Sequence, residues 1–140
     1  MNAEANGLQV TSDERAAALE TVYSFHRHID RGEATRAISL VADDADFTVR
    51  GERMRGRTAV ENFLTWREAQ VDRKTVHVIE SSIVTRSGPA EFAVDSILLM
   101  HSRDAGGALE LAQAFEITHT LIAYEGNWLI RDRSMTPIHR

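Results

Sequence analysis

Residues 75–85 read TVHVIESSIVT, and three stretches of the same character follow: EFAVDSILLMH at 91–101, LELAQAFEITHTLIAY at 109–124 and WLIRDRSM at 128–135. β-Branched and aromatic residues are frequent in them, and apolar positions alternate with polar ones over much of their length. Short turn sequences separate them, namely SGP at 87–89, DAGG at 104–107 and EGN at 125–127. The second half of the chain therefore predicts four long antiparallel strands.

The first half of the chain has helical periodicity instead. Residues 11–14, TSDE, form a capping box in which Thr11 is the N-cap and Glu14 stands three residues later. The helix that follows ends near Gly32, a typical C-terminal stop. Its apolar residues at helical spacing are Leu19, Val22, Phe25 and Ile29.

Shorter elements connect this helix to the long strands. The spacing predicts a second helix over Ala34–Ala42, two short strands over Asp46–Arg50 and Glu52–Arg55 that turn at Gly51, and a third helix that Gly56 opens. Helices followed by a run of antiparallel strands predict an α+β fold. We expect three N-terminal helices packed on one face of a strongly curved, mostly antiparallel sheet.

The length of 140 residues predicts one domain. We expect residues 1–10 to form a loose arm and residues 11–137 to form the domain. Val76 and Val78 alternate with His77 and Ile79, so in places the sheet is apolar on both faces, one towards the helices and one outward. A monomer of this size would leave that outer face uncovered, which predicts a homodimer through it.

The composition excludes several classes of function. Cysteine is absent, which excludes disulfides, thiolate nucleophiles and zinc–sulfur sites. The 21 acidic and 16 basic residues are interspersed, as on a soluble surface, and do not indicate a nucleic-acid partner. No apolar run reaches the roughly 18–20 residues of a membrane span, and the first ten residues have no signal-peptide pattern. We therefore expect a cytoplasmic protein with neither a membrane nor a nucleic-acid partner.

The sequence predicts no metal and no cofactor. His26 and His28 are two residues apart on a helix, so they point in different directions and do not share an ion. A Gly-rich phosphate loop, a GxSxG motif and a serine–histidine motif are all missing from the sequence. The expected partner is a small-molecule substrate or ligand.

Several segments, in order and spacing, resemble the SnoaL-like and ketosteroid-isomerase-like branch of the nuclear transport factor 2 superfamily. They are IDRG at 29–32, LVADDADF at 40–47, Gly51, GRTAVENFL at 56–64 and GNWLI at 126–130. The resemblance covers nearly all of the chain and implies a cone-shaped fold around one apolar ligand pocket. It does not define an activity, because this fold serves dehydratases, isomerases, cyclases, epoxide hydrolases and non-catalytic proteins.

One branch of the superfamily fits best. Scytalone-dehydratase-like enzymes and similar dehydrochlorinases pair an aspartate at the end of the first helix with a histidine early on the third strand, and Asp30 and His77 occupy these places. Phe25 stands where some dehydratases have a tyrosine. Residues 121–124 hold no counterpart of the arginine expected there in dehydrochlorinases. Val49 stands where ketosteroid isomerases place their base, which argues against that reaction.

The residues around Asp30 support the same pair. Asp30 shares one broad face of its helix with Tyr23 and His26. A carboxylate among apolar neighbours needs a donor close by, and a histidine opposite would gain a fixed tautomer and a stronger basic nitrogen. The alternative is that Asp30 binds backbone at the helix end and that His77 is a core histidine. We predict Tyr23, His26 and, on the third helix, Trp66 as substrate contacts.

The long strands supply further candidates. His119 and Phe115 belong to one apolar face and are predicted to contact the substrate, with a buried core position as the alternative. Asp95 is a further predicted substrate contact, and its carboxylate is either the acid/base of a cyclase-like mechanism or the partner of Arg131 or Arg133. The ion pair is favoured, because buried carboxylates seldom lack a partner.

The sequence therefore predicts a cofactor-free lyase, a dehydratase or related eliminating enzyme, for a small apolar and cyclic substrate. His77 would abstract a proton and Asp30 would orient His77. Two alternatives stay open at this point. One is a non-catalytic ligand-binding or dimerisation module, and the other is a polyketide cyclase-like or isomerase-like enzyme that uses Asp95.

Overall fold

The computed structural model describes residues 9–49, 51–103 and 106–138. Its helical elements are α1 (Ser12–Asp30), a 3-10 helix (Ala34–Leu40) and α2 (Arg57–Ala69). The strands are β1 (Val41–Val49), β2 (Glu52–Arg55), β3 (Lys74–Gly88), β4 (Glu91–Arg103), β5 (Glu110–Tyr124) and β6 (Asn127–Pro137). The fold is therefore α+β, with the helical elements before the four long strands.

The six strands form one sheet in the order β2-β1-β6-β5-β4-β3. All neighbours are antiparallel except β1 and β6, which run parallel. The helices pack on one face, where α1 contacts β3 and β6 and α2 contacts β1. This arrangement places the end of α1 over the start of β3.

The prediction of three α-helices needs a correction. The second helix, predicted over Ala34–Ala42, is a 3-10 helix that ends at Leu40. Val41 and Ala42 instead begin β1, where Val41 pairs with Ile130 of β6. The strand predicted over Asp46–Arg50 therefore begins earlier, at Val41. Pairing with β6 stabilises Val41 and Ala42 as strand more than their weak helix propensity stabilises them as helix.

The capping box and the helix stop define α1 as predicted. Thr11 Oγ1 accepts from the Glu14 backbone N–H at 3.1 Å, and Glu14 Oε1 accepts from the Thr11 N–H at 3.0 Å. Gly32 takes a φ of +78°, which reverses the chain just after Asp30. Asp30 is therefore the last helical residue and faces β3.

A bulge in β3 changes which residues point inward. Ser81 has a φ of +54°, and the pairing with β4 shifts between Glu80 and Ile83. One extra residue moves the alternation by one position, so that both Ile79 and Val84 pack against the core while Ile83 is 62% exposed.

Two apolar clusters make up the interior. The larger lies between the helices and the sheet, and includes Val22, Phe25, Phe47, Leu64 and Leu121. The smaller lies towards the other end of the long strands, and consists of Leu98, Met100, Phe115, Ile117 and Met135. Each such side chain stabilises the fold by about 1.5–3 kcal/mol through burial.

Of the arm predicted at residues 1–10, the structure describes residues 9 and 10. Gln9 O accepts from Arg86 Nε at 3.3 Å, and Val10 packs against the larger cluster. In the described part of the chain, neither α1 nor α2 combines the length and apolar character that would let it cross a membrane.

Candidate functional site

A cavity of about 490 Å³ lies between the two apolar clusters. Its apolar lining comes from both clusters and from α2 and β2: Phe25, Ile29, Phe47, Val49, Met54, Phe63, Trp66, Met100 and Met135. Its polar lining consists of Glu52, Arg67, Arg73, Thr75, His77 and Arg133. A mostly apolar cavity with a few converging polar groups is typical of a small-molecule site.

Asp30 and His77 are in direct contact beside this cavity. Asp30 Oδ1 lies 2.5 Å from His77 Nδ1, and Oδ2 accepts from the His77 backbone N–H at 2.8 Å. Both side chains are largely buried, with 9% exposure for His77 and 15% for Asp30. The contact holds the imidazole in one orientation.

The same carboxylate anchors a longer chain of hydrogen bonds. Thr75 Oγ1 donates to Asp30 Oδ1 at 2.9 Å and accepts from Arg67 Nη2 at 3.1 Å. Thr75 and His77 are two residues apart on β3, so both side chains point to the same face. The positive charge of Arg67 is therefore separated from the Asp30–His77 pair only by the hydroxyl group of Thr75.

The geometry assigns the tautomer of His77. A carboxylate only accepts, so Nδ1 carries the proton that Asp30 binds. The opposite nitrogen, Nε2, forms no hydrogen bond with any residue in the described part of the chain, and the ring lines the cavity. The free lone pair of Nε2 is therefore presented to a molecule bound there, which suits a general base.

Arg133 of β6 is a buried cation on the same cavity. It is 6% exposed, and its guanidinium lies 5.8 Å from the ring centroid of Phe25. Nη2 lies 2.9 Å from His26 Nε2, Nη1 lies 2.9 Å from the Met135 sulfur, and Nε has no partner among the described residues. Burial lowers the pKa of Arg133 to about 10, so the group is charged at neutral pH.

His26 holds this arginine from α1. Its Nδ1 lies 2.8 Å from the Val22 carbonyl, which only accepts, so Nδ1 carries the proton and Nε2 accepts from Arg133. Burial lowers the pKa of His26 well below its usual value, and the charge of Arg133 lowers it further. His26 is therefore neutral, contacts the His77 ring at 5.1 Å between centroids, and positions Arg133.

His119 lies behind His26 and away from the cavity lining. It is fully buried, and both ring nitrogens lack a partner in the described chain. Burial is the main cause that lowers its pKa well below the usual value, with Arg133 as a second cause. The structure thus gathers three histidines and one arginine, of which His77 and Arg133 reach the cavity.

The other predicted site residues lie in different places. Trp66 lines the cavity and is 51% exposed, so it stands at the opening. Tyr23 is 40% exposed and is not part of the lining, and Phe115 belongs to the smaller apolar cluster. Asp95 is exposed on the outer face of the sheet, where it accepts from Thr118 at 2.7 Å.

The predicted ion pair of Asp95 is wrong. Arg131 pairs with Glu91 and Asp132, and Arg133 contacts His26. The inference depended on Asp95 being buried, whereas its place on the outer face leaves the carboxylate in contact with water.

Five polar residues of the cavity lining were not predicted from the sequence as site residues: Glu52, Arg67, Arg73, Thr75 and Arg133. Thr75 has a local signal, because it stands two residues before His77 and shares its face. Arg133 also stands two residues before the inward-facing Met135. The alternation on β6 could have placed it inside, but the long-range contact with His26 could not be read from local pattern.

Comparison with known proteins agrees with this architecture. A family model described as a SnoaL-like domain matches residues 10–134. No curated protein sequence matches the chain. Many solved structures match the chain at low sequence identity.

Three structures illustrate the likeness. A protein of unknown function from Mycobacterium tuberculosis has a TM-score of 0.80 and 16% identity, over 93% of this chain and 79% of its own. A candidate scytalone dehydratase from Novosphingobium aromaticivorans has a TM-score of 0.77 and 17% identity, over 91% and 85%. ActVI-ORFA from Streptomyces coelicolor has a TM-score of 0.78 and 16% identity, over 92% and 100%. At these identities the likeness concerns the fold.

Proposed function

The chain belongs to the SnoaL-like domain family, and we propose that it is a cofactor-free lyase, a dehydratase or related eliminating enzyme, for a small, largely apolar and cyclic substrate. The observation that carries the proposal is the free Nε2 of His77, which faces the cavity while Asp30 holds the opposite nitrogen. The chain shares its fold with the candidate scytalone dehydratase, whose name denotes a reaction of this class.

The reaction begins with His77. Its Nε2 takes a proton from a carbon next to a carbonyl group, and Asp30 stabilises the imidazolium that forms. The electrons of the broken C–H bond move towards the carbonyl oxygen. Charge develops there, and preorganised donors in a water-poor site stabilise it best.

Arg133 is suited to that carbonyl oxygen. Its guanidinium is positively charged and is buried in the wall of the cavity. Expulsion of a hydroxide from the next carbon forms the C=C bond, and the proton held by His77 neutralises the hydroxide. The products are an α,β-unsaturated carbonyl compound and water, and the imidazole returns to its starting state.

The test is a panel of cyclic β-hydroxy ketones followed by the ultraviolet absorbance of the conjugated product. We expect turnover of at least one member by the wild-type protein, and loss of about 10²–10⁴-fold in His77→Ala. His28→Ala is the matched control, since His28 lies on the same helix as Asp30 but outside the cavity lining. Binding of panel members without any turnover would instead favour the non-catalytic ligand-binding module.

A further inference from the structure

Two arginines stand together on the cavity beside His77. Arg67 of α2 and Arg73, in the turn between α2 and β3, both line the cavity. Both also line a smaller cleft of about 230 Å³, to which Asp30 and Glu68 contribute as well. Across residues 9–49, 51–103 and 106–138, no carboxylate forms an ion pair with either guanidinium.

Arg67 is held in place but only partly satisfied. It is 7% exposed, and its Nη2 donates to Thr75 Oγ1 at 3.1 Å and to Arg73 O at 3.4 Å. Its Nε and Nη1 form no hydrogen bond within the described chain. Burial lowers the pKa of Arg67, the charge of Arg73 lowers it further, and Asp30 acts in the opposite direction. A buried cation next to a second cation is costly unless an anion joins them.

The nearby acids do not fill this role. Glu68 Oε1 is occupied by Thr35, whose backbone N–H and hydroxyl donate to it at 3.1 Å and 2.8 Å. Asp30 is occupied by Thr75 and His77. Glu52 lines the cavity but is exposed on β2. The positive charge of the two arginines therefore faces a cavity whose other walls are mostly apolar.

We propose that Arg67 and Arg73 bind a carboxylate of the substrate, which is then a cyclic carboxylic acid. A guanidinium presents parallel N–H donors that match the two oxygens of a carboxylate. The apolar body would lie against side chains such as Phe63 and Met54. That this cavity is the substrate site rests on the proposed lyase function.

The two cationic positions would have separate tasks. Arg133 is positioned by His26 from α1, whereas Arg67 is positioned by Thr75 of β3. A substrate with its carboxylate on the arginines at 67 and 73 and its carbonyl oxygen on Arg133 would place the intervening ring next to His77. The pair of contacts would therefore select which C–H bond meets Nε2.

The experiment compares two probes of the same shape, naphthoate and its neutral analogue naphthamide, by calorimetric titration of the whole chain. We expect naphthoate to bind at least about tenfold more tightly to the wild-type protein, because hydrogen bonds to charged groups are the stronger kind. Arg73→Gln should lower naphthoate affinity about tenfold and leave naphthamide affinity unchanged. Arg36→Gln is the matched control, an exposed arginine paired with Glu33.

Two outcomes would overturn the proposal. One is equal affinity of the wild-type protein for the two probes, and the other is an unchanged preference for naphthoate in Arg73→Gln. If Arg133→Met then loses that preference, the anion binds at Arg133 instead. Arg67→Lys, checked for folding by circular dichroism, should also lower the affinity for naphthoate, because lysine lacks the parallel N–H donors of a guanidinium.

The test is independent of turnover. His77→Ala should keep the preference for naphthoate, since the imidazole does not contact the carboxylate. An anion preference without catalysis on any substrate would contradict the lyase and leave this site standing. Catalysis without a preference for naphthoate would contradict the carboxylate site and leave the lyase function standing.

Discussion

Asp30 accepts hydrogen bonds from Thr75 Oγ1, from the His77 backbone N–H and from His77 Nδ1. An amide of the same shape has a donor in place of one acceptor, so Asp30→Asn favours the wrong imidazole tautomer and removes the charge that stabilises the imidazolium. We expect kcat to fall by about 10²–10⁴-fold. Ligand binding should change little, as measured by titration. A variant with wild-type kcat would show that Asp30 is merely structural.

The buried histidines make stability depend on pH. Burial lowers the pKa values of His26 and His119 well below 6.5, so the folded state keeps them neutral while the unfolded state takes up protons below about 6.5. The free energy of unfolding should therefore fall as the pH falls below this value, by up to about 1.4 kcal/mol per pH unit for each histidine. Above about pH 6.5 both histidines are neutral in the folded and in the unfolded state, so this loss of stability is absent.

His119→Leu isolates one of these contributions. It removes a titrating group whose ring nitrogens have no partner in the described chain. Urea unfolding at several pH values should show a shallower dependence on pH than in the wild-type protein. An identical slope in the two proteins would mean that His119 does not stay neutral in the folded state.

The site residues differ in how far the sequence reveals them. Asp30 and His77 are predictable, because a helix end and an early strand position are local features that match a known pair. Arg133 is not, because its burial depends on His26, which lies 107 residues away in sequence. Asp95 was expected to be buried and is exposed. Alternation on a strand defines two faces but does not say which face meets the helices.

At the scale of single elements, the N-cap of α1 is an independent check on the fold. Thr11 and Glu14 satisfy each other's backbone N–H groups. Thr11→Ala should lower the free energy of unfolding by about 1 kcal/mol, measured by urea denaturation. Ser12→Ala is the control, since Ser12 makes no side-chain hydrogen bond within the described residues. Equal effects of the two changes would contradict the assignment of the cap.

The elements were predictable where local signals are strong. The capping box and Gly32 define both ends of α1, and turn sequences separate the long strands. The segment Ala34–Leu40 was harder, because seven residues are too few for a periodic pattern and pairing with β6 decides where it ends. The bulge at Ser81 has no sequence signal such as glycine, so the change of face within β3 was missed.

At the scale of the whole molecule, the outer sheet face carries exposed apolar side chains. They are Val76, Val78, Ile83 and Leu111. We expect a homodimer through this face, and light scattering at micromolar concentration should give the mass of two chains. Ile83→Lys should yield monomers, whereas Val71→Lys, at an exposed apolar position in the turn before β3, should not. A wild-type mass of one chain would count against the dimer.

If His77 abstracts a proton from carbon in this cavity, deuterium exchange detects the step without knowledge of the natural substrate. A tetralone, a bicyclic ketone, is incubated in D₂O with each protein, and loss of the proton next to its carbonyl is followed by NMR. We predict that the wild-type protein accelerates exchange and that His77→Ala loses about 10²-fold or more of that acceleration. Exchange by His77→Ala at the wild-type rate, or by the wild-type protein no faster than in buffer, would show that His77 is not the base.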